Sequence, residues 1–348
     1  MKQKLYEVQG IIHLHSKYSD GSGDVPDIMK DAQNQNLDFV LFTDHNTLKP
    51  KKDGWEGWYG KSLAVFGCEL NDKNDQNHLL TFGVDEINHK NKTASEYVRE
   101  VVSRNGICFL AHPHEKRDHF PEYKPYPWTD WQTDEFTGME IWNHMSEWME
   151  GLTDENKYQR FLHPLKSALM PPQETLKKWD ELNKKRLVVG IGGSDCHAHE
   201  QIIMGVTVQI FPYKVAFRAI RTYLLLDEPI SPENSISENT NLIYAALKSG
   251  HAYFVNYYRG SGKGFRFWME NKTKLLGMGD RSKTEKYNVK VFSPLKRTIR
   301  LLKDGVLFHE VHDSDHLTVS VSEKGVYRVE VMFSETTGWI YSNPITLI

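Results

Sequence analysis

Seven short apolar bursts, at residues 11–16, 38–44, 64–70, 78–84, 107–112, 138–143 and 187–194, punctuate the first two thirds of the chain. Nearly every one carries a histidine, aspartate or glutamate at its end or next to it. Bursts this short, bounded by polar clusters, read as buried strands. Between them, 26–35 and 94–105 have the periodicity of amphipathic helices; Pro26 starts the first and Gly106 stops the second. Strands alternating with helices predict an α/β fold around a mainly parallel sheet, with enough units to close into a barrel. Barrels of this kind place their chemistry at the C-terminal ends of the strands, where the polar residues of this chain recur.

Those residues are His13, His15, Asp20, His45, Glu69, His78, His112, Asp195 and His197. His13 and His15 are one residue apart, so on a strand they share a face. Any one of them alone is weak evidence, because a lone strand-end histidine is usually a hydrogen-bonded structural residue and a lone aspartate a helix cap. Together they resist that reading, since burying so many polar groups without strong partners costs several kcal/mol apiece. Imidazoles mixed with carboxylates are metal ligands, and six histidines with three carboxylates exceed what one ion needs. Two or three divalent ions are expected, with Glu69 as the bridge because a carboxylate has two oxygens to share.

The formal net charge of −3 gives no basic field to attract nucleic acid or an anionic membrane. The first residues lack the apolar stretch of a signal peptide, and no run is long enough to span a bilayer. The three cysteines, Cys68, Cys108 and Cys196, form no CxxC pair and fit a reducing compartment, so a cytoplasmic location is expected. Cys68 and Cys196 neighbour ligand candidates, and alternation turns them the other way, into core.

Residues 114–186 break the alternation with a long insertion holding Trp128, Trp131, Trp142, Trp148 and Trp179. It reads equally as a lid over the substrate and as a helical subdomain on the rim. His114, Lys116, Arg117, Trp142, Asn143 and His144 are the candidate substrate contacts; Glu140 is ambiguous. Beyond the glycine-rich segment 260–264, taken as a hinge, short strand-like runs predict a small β-sandwich over 263–348. Asp304 and Gly305 mark a hairpin turn between two of them. His309, His312 and His316 are expected in a solvated loop, and His89, His163 and His251 show no partner pattern.

The series His13-x-His15, Asp20, Thr43-Asp-His45-Asn, Glu69, His78, Ala111-His112-Pro and Ser194-Asp195-x-His197 resembles the polymerase and histidinol phosphatase (PHP) superfamily. The runs at 325–330 and 339–345 look like the β-domain of a subgroup that includes carbaryl hydrolase-like metallohydrolases. The resemblance implies a distorted (β/α)7 barrel over 1–262, interrupted by the insertion and followed by the β-domain. It implies one metal on His13, His15, Glu69 and Asp195, and a second sharing Glu69 with His78 and His112. A third would take Asp20, His45 and His197. Zinc, manganese and iron all suit such sites.

The expected activity is a phosphoesterase on a small phosphomonoester or nucleotide, using a metal-bridging hydroxide, with Asp195, His112 and Glu69 at the catalytic centre. Proton delivery to the leaving group is left open between His112, His114 and a metal-bound water. An amide, ester or carbamate hydrolase is the alternative, and a metal-regulated binding module is the alternative of another class. The partner expected is a small-molecule substrate, with neither nucleic acid nor membrane; the oligomeric state is open.

Overall fold

The apolar bursts become strands because both of their faces are covered, so they read as continuous runs rather than as alternation. The computed structural model describes residues 5–88, 91–120, 123–203 and 205–348; His89 lies outside them. In chain order the first strands are β1 (Tyr6–Ile12), β2 (Phe39–Phe42), β3 (Gly57–Tyr59), β4 (Ser62–Phe66), β5 (Cys68–Asn71), β6 (His78–Phe82), β7 (Ile107–Leu110), β8 (Gly138–Asn143) and β9 (Val189–Gly193). They continue as β10 (His199–Ile203), β11 (Val206–Ile210), β12 (Ile220–Leu226) and β13 (Ala252–Asn256). The helices are α1 (Val25–Asn34), α2 (Lys49–Lys52), α3 (Ala94–Ser103), α4 (His144–Glu150), α5 (Lys157–Leu162), α6 (Gln173–Asn183), α7 (Tyr213–Ala216) and α8 (Ile236–Ser249). None of them is long and apolar enough to cross a membrane, among the described residues.

Local chemistry sets the helix ends. Pro26 stands in the first turn of α1, whose buried Val25, Ile28, Met29 and Ala32 follow the helical repeat. Thr93 with Glu96 and Ser235 with Glu238 form capping boxes on α3 and α8.

Two sheets frame the first two thirds. In one, β12 runs antiparallel to β1, and β1, β2 and β4 are parallel. In the other, β6 is antiparallel to both neighbours in the order β5-β6-β7, and β7, β8 and β9 are parallel. The sheets join on two sides. On one side the chain passes from β4 through Gly67 into β5, with the Gly67 N–H on the Phe42 carbonyl at 2.9 Å. On the other, the Ser194 and Asp195 N–H groups bond the Ile12 and His13 carbonyls at 3.0 and 2.7 Å. The expected alternation is therefore incomplete: β4, β5 and β6 follow one another with no helix between them.

The C-terminal strands are β14 (Arg266–Glu270), β15 (Leu275–Gly277), β16 (Arg281–Ser282), β17 (Tyr287–Lys303), β18 (Val306–Val321), β19 (Gly325–Ser334), β20 (Thr337–Ser342) and β21 (Ile345–Leu347). They differ from the expected free-standing sandwich. β13 pairs with β20, so one 14-stranded sheet runs from β3 through β1 and β12 into the C-terminal strands. Tyr223, Leu225, Tyr253 and Val255 share an apolar core with Phe267, Val289, Val329 and Trp339.

The segment 260–264 makes hydrogen bonds to three residues outside it. Trp339 Nε1 bonds the Gly260 carbonyl at 2.9 Å, Tyr253 Oη bonds that of Gly262 at 3.0 Å, and Glu7 accepts from the Gly264 N–H at 2.9 Å. His309, His312 and His316 lie on strand β18 rather than in a loop, because β17 and β18 are long bulged strands and not pairs of short ones. Their hairpin turns at Asp304 and Gly305, both with positive φ (56° and 83°), as a type I′ turn requires.

Candidate metal centre

The nine candidate ligands come from seven separate stretches of chain, and the strand ends bring them together. β1 stops at Ile12, and His13 adopts φ 68°, so His13 and His15 do not share a face by simple strand alternation. The left-handed residue turns the chain, and the two rings still converge, with centroids 5.4 Å apart. His112 (φ 28°) and Asp195 (φ 53°) also have positive φ, where histidine and aspartate are tolerated better than most residues. Backbone strain of about 1–3 kcal/mol each at three converging positions is characteristic of a functional site.

Three groups of donors each lie within reach of a common point. His13, His15, Glu69 and Asp195 form one, His45, Glu69 and His78 another, and His15, Asp20, His45 and His197 the third. Glu69 belongs to two of them. Its Oε2 is 3.0 Å from His13 Nε2 and 3.1 Å from His15 Nε2, and its Oε1 is 2.8 Å from His78 Nδ1 and 3.3 Å from His112 Nε2. Asp195 Oδ1 is 3.3 Å from His13 Nε2 and 3.4 Å from His15 Nε2. Asp20, half exposed, approaches His197 at 3.4 Å, His15 at 3.7 Å and His45 at 3.8 Å. Against the implied partition, His15 and His45 each stand in two groups, and His112 adjoins Glu69 without completing a group.

The donors fit divalent ions. His15 Nδ1 and Nε2, His78 Nε2 and His112 Nδ1 are buried with no hydrogen-bond partner, although His15 Nε2 is near two carboxylates. An orphaned buried polar atom is costly, so unpartnered imidazole nitrogens beside a cluster of mutually close donors fit bound cations.

Electrostatics agrees. Burial alone would raise Glu69 and Asp195, but the surrounding imidazoles hold both carboxyls well below their usual range. Burial likewise works to lower His13, yet Asp195, Glu69 and Glu140 keep it well above its ordinary value, and carboxylates lift His15 and His112 to about 9. His45 is pushed down to about 4, chiefly by burial. The cluster thus demands positive charge at its centre.

Residues around the ligands fix their orientation. Asp44 Oδ1 accepts from the Ser16 N–H at 2.8 Å and from Ser19 Oγ at 2.9 Å, shaping the turn between His15 and Asp20. Asn71 Oδ1 holds His45 Nδ1 at 3.0 Å. Tyr126 stacks on His78 at 4.5 Å and His199 on His197 at 4.6 Å. Glu140 is ambiguous in the sequence, and Asp44, Asn71, Tyr126 and His199 are not signalled there, because none sits in a ligand-like spacing. Cys68, beside Glu69 on β5, is buried in core as alternation requires, and Cys196 is buried as well although it lies beyond the end of β9.

The site forms the floor of a cavity of about 1220 Å³. Of the candidate substrate contacts, Arg117 lines it, paired with the buried Glu115 at 2.7 Å. The others do not reach it. Trp142 is wholly buried in the core, edge-on to Tyr341. Asn143 caps α4 through the Ser146 N–H at 2.9 Å and braces Asp195 Oδ2 at 3.4 Å. His144 is buried against the Pro164 carbonyl, His114 bonds Thr175 and stacks on Trp131, and exposed Lys116 pairs with Glu174. All six residues of β8 are buried, so both of its faces serve packing, and Trp142 has no open side. Within the insertion, α4 and α5 wall the cavity, while Trp179 on α6 lies in the core.

Residues 12–133 match the model of the PHP domain. A two-domain protein from Bacteroides vulgatus, containing a predicted PHP-like metal-dependent phosphoesterase, is similar over 98% of this chain and 95% of its own, at 15% identity and a TM-score of 0.47. A protein from Bifidobacterium adolescentis described as a metal-dependent phosphoesterase covers 54% of this chain and 87% of its own (14% identity, TM-score 0.32). An amidohydrolase from Chromobacterium violaceum covers 59% and 92% (12% identity, TM-score 0.33). No match was found among curated proteins.

Proposed function

We propose that this chain, which carries a PHP domain over residues 12–133, is a metal-dependent hydrolase whose first substrates are phosphoesters. One observation carries the reading: Glu69, buried, has one oxygen against His13 and His15 and the other against His78 and His112. His13, His15, Asp20, His45, Glu69, His78, His112, Asp195 and His197 would hold divalent ions, which when bound would supply Lewis acidity and an acidified water. Zinc, manganese and iron all suit the donors, with two or three ions for the number of groups. The frame that holds them is read as a distorted seven-stranded barrel of β1, β2, the β4–β5 run, β6, β7, β8 and β9.

The chain's own residues do the rest. Glu140 orients His13, Asn71 orients His45 and Asp44 fixes the turn carrying Asp20. Arg117 lines the cavity wall with its guanidinium held by Glu115. In hydrolysis the oxygen of water bonds to phosphorus, the P–O bond to the alcohol breaks, and a proton passes to the departing oxygen. His114 faces Thr175 rather than the cavity and His112 is counted among the ligands, so neither histidine is assigned that proton.

A second reading, cleavage of a carboxyl or carbamate ester, is favoured by the aromatic and methionine side chains facing the site. Protein supplied with manganese or zinc, offered p-nitrophenyl phosphate, AMP and a naphthyl carbamate, separates the two. Phosphate release is expected. Carbamate cleavage without phosphate release would replace the first reading by the second, and no cleavage under either metal would sink both.

A further inference from the structure

We infer that the substrate carries a bulky apolar group, an aryl or long alkyl chain, beside the scissile ester, and that the wall of the cavity selects for it. The inference rests on the hydrolase reading of the same site. The cavity, at about 1220 Å³, is far larger than a phosphoryl or carboxyl group requires and exceeds the usual span of small-ligand pockets. The candidate ligands form its floor, and apart from Arg117 and Lys157 the lining contributed by α4, α5 and their neighbours is largely apolar.

That wall has a definite construction. Met145 and Met149 are one helical turn apart on α4 and so face the same way. With Phe120, Phe161 and Ile210 they pack around Trp148, itself braced edge-on by Phe211 at 4.9 Å. Unbranched methionines adapt to ligands of varied shape. The apolar surface continues to the mouth, where Tyr158 and Ile202 line the cavity while 60% and 78% exposed. Exposed apolar side chains joined to a pocket mark a surface meant to meet an apolar partner.

The charges argue the same way. Arg117 is paired with Glu115 and Lys157 with Asp154, each at 2.7 Å. A second phosphate, as on a nucleoside diphosphate, would have to break one of those pairs. Asp20 and Asp75 at the rim of the floor add negative charge against it.

The test is the chain-length dependence of kcat/KM over methyl, butyl, octyl and naphthyl phosphates, repeated with the matching acetate esters. For the alkyl members, kcat/KM should rise about three- to fourfold per added methylene until the wall is covered, whichever ester is cleaved. Tyr158→Glu, on the exposed rim, and Met149→Glu should each lower the octyl-to-methyl ratio at least tenfold. A flat series in the wild-type protein overturns the inference and leaves the hydrolase reading standing. If no ester is cleaved, calorimetry of n-octanol and n-butanol against the same protein still decides it. Tighter octanol binding, lost in Met149→Glu, supports the apolar subsite, and equal or absent binding overturns it.

Discussion

Glu140 grips His13 from behind the site. Its Oε1 lies 3.0 Å from His13 Nδ1, while Oε2 accepts from the His112 N–H at 2.8 Å and from Asn143 Nδ2 at 2.9 Å. One carboxylate thereby fixes the ring of one candidate ligand and the backbone of another. A carboxylate on Nδ1 keeps the proton there and leaves Nε2 free to bind a metal.

The first prediction follows from that grip. Glu140→Gln keeps the shape but can present an N–H to His13, which favours the wrong tautomer. Metal affinity, measured by titration against a chelating dye, should fall about 10–100-fold. Gly193→Ala should act similarly, because a Cβ there would collide with the Glu140 carboxylate. Unchanged affinity in both variants would remove Glu140 from the support of the site.

Asp195 is the second. Its carboxylate faces His13, His15 and His197 together, so Asp195→Ala removes a ligand and leaves neighbouring imidazoles without a counter-charge. Hydrolysis should drop below detection, and metal content by elemental analysis should fall by at least one ion per chain. Chelation of the wild-type protein should lower Tm, with recovery on adding metal back, since a ligand bound only by the folded state stabilises it. Full activity in the alanine variant would refute the metal mechanism.

The candidate ligands other than Asp20 are legible in the sequence because each stands where an apolar run meets a polar one, and that boundary is local. The hairpin at Asp304 and Gly305 is legible for the same reason. What was hidden depends on pairing between distant segments. Nothing within 252–256 announces that it will pair with 340–342 and fuse the C-terminal strands into the main sheet. Nor does the local pattern show that both faces of β8 are covered, which takes Trp142 out of the cavity. The turn at His13 is a tertiary effect too: strand alternation predicted convergence correctly but by the wrong geometry.

Glu147 gives a pH signature outside the ligand set. Burial, assisted by the neighbouring Glu150 carboxylate and opposed by Arg160, pushes its carboxyl up to about 8. The folded chain therefore holds a proton that the unfolded chain releases near its ordinary value of 4.5. Between those two values the folded state binds more protons, so this group's contribution to stability is present below pH 4.5 and is lost as pH rises toward 8. Glu147→Gln, neutral at every pH, should show no Tm difference from wild type near pH 4.5 and a growing advantage up to about pH 8. A pH-independent difference in thermal unfolding would show that Glu147 does not titrate in this way.

The insertion is tied to the C-terminal strands by a buried ion cluster, and its removal should be felt throughout the molecule. Arg328 on β19 donates from Nε and Nη2 to both oxygens of Asp180 on α6, at 2.7 and 2.9 Å, and from Nη1 to Glu330 at 2.5 Å. The two carboxylates hold the guanidinium pKa above its ordinary value despite burial. Arg328→Met strands both carboxylates and should cost about 3–5 kcal/mol in urea denaturation. Replacing the cluster together, with Asp180→Leu, Arg328→Met and Glu330→Leu, should restore most of that loss, because a desolvated ion cluster contributes little net stability over an apolar one. If the single variant loses less than about 1 kcal/mol, the cluster is hydrated in solution and is not the link between α6 and β19.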